Sequence, residues 1–288
     1  MLYLDRKSYK DEDFEMPVEV AGVKWRNPFF VSSGPTTSTL QQLIKAAECG
    51  IGGASCKLTF DPPPYINRRP RYGWDPDQHL LYFSAEKRIV LEEALRLIEA
   101  ARKQIDNFVL FSNFTYSEAG IEGWVNMAKK FEEAGAHINE LNMCCPNMSF
   151  NVELAKDKGA ESHKTGASLG QQEREIQAII RAIKAETKIP LCVKLTPEGG
   201  RQDIVAQACF EAGADMVCGV ANRLALAAMR VDQPGKSTIA LQDEQGMYCM
   251  NSYWIKPLAL RDVYMMRKKV GPQPALLGTG GVTTWRDG

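Results

Sequence analysis

No charge of one sign dominates this chain: its 35 basic and 35 acidic side chains cancel, so no overall field recruits nucleic acid or an anionic membrane surface. No apolar run approaches the length of a membrane span. The start Met1-Leu2-Tyr3-Leu4-Asp5-Arg6-Lys7 lacks the basic and apolar regions of a secretory leader. A cytoplasmic chain is expected. The eight cysteines, at 49, 56, 144, 145, 192, 209, 218 and 249, show neither the spacing of zinc or iron–sulfur ligands nor a disulfide framework. No metal site is therefore expected, and most of these thiols read as small buried apolar groups. Internal repeats, heptads and low-complexity tracts are also missing. No glycine-rich dinucleotide fingerprint follows the first apolar run, where Ser32-Ser33-Gly34-Pro35-Thr36 stands instead.

What is present is a rhythm. Short apolar runs at Phe29 to Ser33, Gly53 to Leu58, Phe108 to Asn113, Ile138 to Met143, Leu191 to Leu195, Met216 to Val220 and Ala275 to Gly278 read as strands. Between them Thr39 to Glu48, Ala85 to Gln104, Ile121 to Ala134, Gln171 to Glu186, Gln202 to Ala212 and Lys256 to Lys269 have helical periodicity. Alternating βα units imply a parallel sheet, and seven of them predict an α/β fold: a (β/α)8 TIM barrel whose eighth βα unit is missing from this chain. A doubly wound open sheet is the alternative, disfavoured by the missing fingerprint. No linker divides the chain, so residues 1–288 read as one domain. Two insertions, Phe60 to Ser84 and Asn147 to Gly170, follow strand ends and become candidate lids over the C-terminal face, where barrels build their sites.

The fourth apolar run ends in Glu140-Leu141-Asn142-Met143-Cys144-Cys145-Pro146-Asn147. The proline turns the chain, which puts Cys145 on a loop at the barrel mouth. There a thiol can be tuned to move a proton to or from carbon. Packing as a buried apolar group is the competing reading for both cysteines, but Asn142 and Asn147 beside them supply the donors and acceptors that a heterocycle needs. Lys57 and Lys194 each interrupt an apolar strand, and a charge held there needs a partner. A structural ion pair would serve, and so would a flavin, whose N1–C2=O edge becomes anionic on reduction. Gly280 and Gly281, after the last strand, could present bare backbone N–H groups to a phosphate, although a plain turn also explains a glycine pair. A lyase using Lys194 as a Schiff-base amine accounts for one lysine but not for the thiol loop.

These segments resemble the dihydroorotate dehydrogenases, and more closely the flavin domain of dihydropyrimidine dehydrogenase. The similarity runs in order through Asn27-Pro28-Phe29, Ser32-Ser33-Gly34-Pro35, Cys56-Lys57-Leu58-Thr59, the Cys145 segment, Lys194-Leu195-Thr196-Pro197, Ile255-Lys256-Pro257-Leu258-Ala259-Leu260 and Gly278-Thr279-Gly280-Gly281. The resemblance implies an FMN-binding barrel in which hydride passes between substrate carbon and flavin N5 while Cys145 moves a proton on the other face. By the same resemblance Ser33, Gly34, Lys57, Asn113, Asn142, Lys194, Gly280 and Gly281 contact the flavin. Asn142, Asn147 and Asn222 contact a small-molecule substrate of dihydropyrimidine-like type. It further implies a homo- or hetero-oligomer served by a separate iron–sulfur/NAD(P)H electron-transfer subunit. Phe83 stands nearest the place of a family substrate asparagine, only Asn222 survives of a Thr-Asn-Thr triplet, and Ser252 replaces a phosphate-binding glycine. Because an unpaired recognition group can cost as much as about 10^4 in selectivity, these departures point to an altered substrate, or to a non-catalytic barrel serving as scaffold or regulatory subunit.

Overall fold

The computed structural model describes residues 16–61, 72–75, 80–83, 89–116, 118, 120–145, 166–219, 223–239, 247–284 and 287. Seven strands carry the barrel: β1 (Phe30–Val31), β2 (Gly53–Ser55), β3 (Val109–Phe111), β4 (Asn139–Met143), β5 (Leu191–Leu195), β6 (Met216–Gly219) and β7 (Ala275–Gly278). Six helices alternate with them: α1 (Leu40–Glu48), α2 (Leu91–Gln104), α3 (Glu122–Glu133), α4 (Glu173–Glu186), α5 (Gln202–Glu211) and α6 (Lys256–Val270). Every predicted strand and helix has a counterpart, most within a few residues at the ends; the helix expected from Ala85 starts at Leu91, after an Ile89 bridge to Thr59, and residues 85–88 lie outside the described residues. The strands pair in parallel and in chain order, with a Phe111–Ile138 bridge joining β3 to β4. Among the described residues β7 and β1 do not pair with each other. After β2 and β3 the chain bends and re-enters the sheet at Thr59–Asp61 and Phe114–Tyr116, which pair with each other.

The strands alternate between two cores, as a sheet buried on both faces must. Leu110, Leu141, Met143, Val193, Leu195 and Val217 face outward into a layer shared with the helices, where Ile98, Phe131, Ile180 and Val205 lie. Phe111, Ile138, Cys144, Cys192, Met216 and Cys218 face inward. Trp25, from the hairpin that pairs Val18–Val20 with Val23–Trp25, plugs the interior against Phe30 and Phe111, with ring centroids 6.4 and 5.4 Å away. Gly53 is glycine for this reason: a Cβ there would lie 2.6 Å from the Val109 carbonyl oxygen and 3.1 Å from the Trp25 ring.

The described parts of the two insertions have secondary structure of their own. Tyr72–Asp75 and Leu80–Phe83, from the first, form an antiparallel pair extended by Met247–Met250 and Arg223–Leu226. This four-stranded sheet has its own small core of Leu80, Tyr82, Ala227 and Tyr248. Its third and fourth strands come from a further insertion after β6, which the apolar rhythm did not reveal. Of the second predicted insertion, Asn147 to Gly170, residues up to 165 lie outside the described residues. The rest forms the short helix Gly166–Leu169.

Candidate active site in the barrel

Inward-facing positions change character along the strands. Just before β4, Ile138 contributes to the aromatic plug's core, but Glu140 and Asn142, two and four residues on, point into the same interior as polar groups. Glu140 is wholly buried, and its Oε2 accepts hydrogen bonds from Ser55 Oγ and, at 2.5 Å, from Asn113 Nδ2. Asn113 Oδ1 accepts from Asn142 Nδ2 at 3.0 Å. Asn142 Oδ1 in turn accepts from the backbone N–H of Cys145 at 3.2 Å, and from the N–H and thiol of Cys144, both at 3.4 Å. A continuous string of side chains thus runs from a buried carboxylate to the start of the thiol loop.

Lys194 faces the string from β5, in register with Asn142, and its Nζ donates to Ser32 Oγ at 2.6 Å just beyond β1. Burial, the largest single influence, would drive the ammonium toward neutrality; the negative charge of Glu140, together with the neighbouring thiols of Cys144, Cys218 and Cys192, more than offsets it and holds the Lys194 pKa above the ordinary lysine value. Lys57 is also buried, and its backbone N–H donates to the Thr37 carbonyl at 2.9 Å. Groups from the first five strands therefore meet in one volume.

The two adjacent thiols differ sharply. Cys144 is buried in the barrel, and burial pushes its pKa well above the usual thiol value. Cys192 behaves likewise, and burial with the nearby Glu140 charge pushes Cys56 up to about 12. Cys145 is instead half-buried, against Leu58 and Phe60 at the loop. None of the eight cysteines is in a disulfide, and Cys145 alone adjoins the polar string without being fully buried.

Ser33 and Gly34 lie at the β1 end, but the side chain that reaches Lys194 is that of Ser32. Gly34 is extended, and a Cβ on it would meet only the Ser32 carbonyl oxygen, at 3.6 Å. The fold itself does not demand glycine there. Gly280 and Gly281 follow β7 with φ of 105° and 74°. Among the described residues their backbone N–H groups donate to no partner. Gly281 lies against the start of α6, where a Cβ would sit 2.5 to 2.7 Å from Lys256. Asn147 and Asn222 lie outside the described residues. Arg223, next to Asn222, is held by Asp262 at 2.8 Å and by the Pro197 carbonyl at 3.2 Å, so its guanidinium is engaged within the fold. Phe83 belongs to the antiparallel sheet, opposite Tyr72 and Cys249.

Reading the sequence by motif passed over Glu140, Ser55 and Ser32. Glu140 did carry a signal: it is a carboxylate inside an apolar strand, as open to question as Lys57 and Lys194, and it is met by Ser55, Asn113 and the charge of Lys194 on the neighbouring strand.

Comparisons with known proteins bear on the family and the fold. A family profile described as dihydroorotate dehydrogenase matches residues 15–288. The NAD-dependent dihydropyrimidine dehydrogenase subunit PreA of Escherichia coli K12 is 26% identical over 281 residues, covering 95% of this chain and 64% of that protein. This chain thus spans somewhat under two thirds of that relative's length. The dihydroorotate dehydrogenase B (NAD(+)) catalytic subunit of Pyrococcus horikoshii is 30% identical over 277 residues, covering 94% of this chain and 80% of that one. A crystal structure of the Eimeria tenella dihydroorotate dehydrogenase in complex with ferulenol superposes with a TM-score of 0.71 at 16% identity, covering 95% of this chain and 74% of that one; the likeness shows the shared barrel fold. With its profile matched over nearly the whole length and its buried polar groups gathered at the carboxyl ends of the barrel strands, the chain belongs to the dihydroorotate dehydrogenase family.

Proposed function

We propose that this chain is the FMN-binding part of an oxidoreductase that moves two hydrogens across a carbon–carbon bond of a dihydropyrimidine or related cyclic amide, with Cys145 as the proton donor and acceptor. The observation that carries the reading is the string Glu140–Asn113–Asn142 ending on the Cys145 backbone, with protonated Lys194 opposite. The donors present fit FMN. Lys194 and Lys57 offer positive charge to the electron-rich edge of the ring system, and the N–H groups of Gly280 and Gly281 offer a place for phosphate. Gly34 leaves open space beside Ser32 and adds to the fit. When bound, FMN supplies the hydride-transfer chemistry that amino-acid side chains lack.

The chain's own residues do the rest. Cys145 Sγ holds the proton that a substrate ring carbon gains or loses, while the buried thiols of Cys144 and Cys192 stay protonated and inert. Asn142, fixed on a rigid strand, orients the loop that carries Cys145. Asn147 and Asn222 are assigned to the substrate amide edges by family resemblance. The engaged Arg223 and the sheet position of Phe83 support a substrate other than dihydroorotate. Both relatives' names describe subunits of NAD-linked enzymes. A separate NAD(P)H-linked iron–sulfur subunit is accordingly the electron partner, and residues 1–288 act as one FMN domain.

The test is anaerobic. Protein incubated with FMN and freed of excess should show a flavin spectrum that bleaches on adding dihydrouracil, dihydrothymine or dihydroorotate. Cys145→Ser should slow the bleaching by about 10^2 or more, the usual weight of a positioned acid/base, while leaving the flavin bound. A chain that binds no FMN, or whose turnover ignores Cys145→Ser, would leave the scaffold reading in place.

A further inference from the structure

We infer that Glu140 is a positioning residue, setting the direction of the amide string and thereby the attachment of the Cys145 loop; its bearing on catalysis rests on the function proposed above. An amide's oxygen and nitrogen are nearly isosteric, so its partners alone choose its orientation. As a carboxylate, Glu140 accepts. Asn113 must therefore turn Nδ2 toward Glu140 Oε2, which leaves its Oδ1 for Asn142. Asn142 has to answer with Nδ2, and only then does its Oδ1 face the loop. The loop presents donors: the N–H groups of Cys144 and Cys145 and the Cys144 thiol all converge on that one oxygen. Reversing the first link reverses every link after it and sets Asn142 Nδ2 against two backbone N–H groups.

Two further features surround the carboxylate. Ser55 Oγ donates to the same Oε2, so Asn113 is not the acid's sole partner. The other carboxylate oxygen, Oε1, is buried and has no hydrogen-bond partner among the described residues. A buried oxygen left so is costly, and the charge of Lys194 on the neighbouring strand works against that cost. A glutamine in its place could instead donate to Asn113. The polarity of the string would then be undetermined, although shape and packing would be kept.

The readout is alkylation of Cys145 by iodoacetamide at fixed pH, followed by peptide mass spectrometry, with exposed Cys49 as internal reference. Glu140→Gln should speed Cys145 labelling about tenfold relative to Cys49 as the loop loses its anchor. The double variant Glu140→Gln with Asn113→Asp moves the acceptor-only group one step along the string: the introduced glutamine donates to the introduced aspartate, which again accepts from Asn142. It should return labelling to within about threefold of the unaltered protein. A purely structural role for the glutamate predicts no such rescue. An unchanged rate in Glu140→Gln, or a double variant as fast as the single one, overturns the inference. If Glu140→Gln fails to fold, Asn142→Ala takes its place, since it cuts the last link while Glu140 keeps both donors; an unchanged rate there overturns the inference equally. The flavin spectrum of the unaltered protein is recorded in the same preparations, so failure to bind FMN counts against the proposed function, whereas the labelling series judges Glu140.

Discussion

Lys194 is the residue at which charge and burial are most sharply opposed. A lysine in a barrel interior loses the water that stabilises its charge; the charge of Glu140 on the neighbouring strand works against that loss, so the two opposite charges support each other and Lys194 keeps its proton. Removing one member strands the other. Lys194→Met should therefore destabilise the apoprotein by on the order of 3 kcal/mol in urea unfolding, and Lys194→Met combined with Glu140→Gln should recover most of that loss. Equal destabilisation in the single and double variants would show that the two charges are not coupled. Cys145, Lys57 and Lys194 were legible in the sequence because a thiol before proline and two ammonium groups inside apolar strands contradict their surroundings. What brings Lys194 and the start of the Cys145 loop onto one polar string was not legible. Whether Ser32 or Ser33 reaches the lysine depends on which side of β1 faces inward, and a single residue of register decides it.

Among the elements, the turn after β7 shows how tightly the candidate phosphate cradle is built. Gly50 and Gly281 both adopt positive φ, 83° and 74°, but a Cβ at Gly50 meets nothing within 4 Å, whereas at Gly281 it meets the backbone of Lys256. Gly50→Ala should thus cost only the conformational strain, about 1 kcal/mol. Gly281→Ala should cost about 2 kcal/mol or more and weaken FMN binding, because the turn must shift away from α6. Urea midpoints and a fluorescence titration of FMN check both, and equal losses in the two variants would remove the packing argument. The barrel elements were readable because each needs only local periodicity. The antiparallel sheet was not, because Phe83 pairs with Cys249 across more than half the chain, and no local pattern names a partner so distant.

For the whole molecule, stability should depend on pH through His137. Burial, and then the neighbouring Arg102 guanidinium, lower its pKa from 6.5 to about 4. Its Nδ1 accepts from the Leu110 N–H at 2.9 Å, which a protonated ring could not do. Because the folded value lies below the unfolded one, the unfolded chain binds more protons between pH 6.5 and 4. The stabilisation is complete above pH 6.5 and is lost as pH falls toward 4, an effect on the order of 2 kcal/mol. In His137→Gln, which can still accept from Leu110, that part of the acid dependence should vanish; an unchanged curve would place the acid sensitivity elsewhere. On the same scale, no helix among the described residues is long and apolar enough to cross a membrane. The amino-acid sequence alone determined the alternation of strands and helices, the parallel barrel and the thiol loop, since periodicity, proline and capping act over a few residues at a time. Only the tertiary structure decided that Glu140, Asn113, Asn142 and Lys194 form one electrostatic unit. These groups come from β4, its neighbour β5 and the chain just past the end of β3, and what relates them is the register between strands and the direction of donation, which become defined when the strands pair.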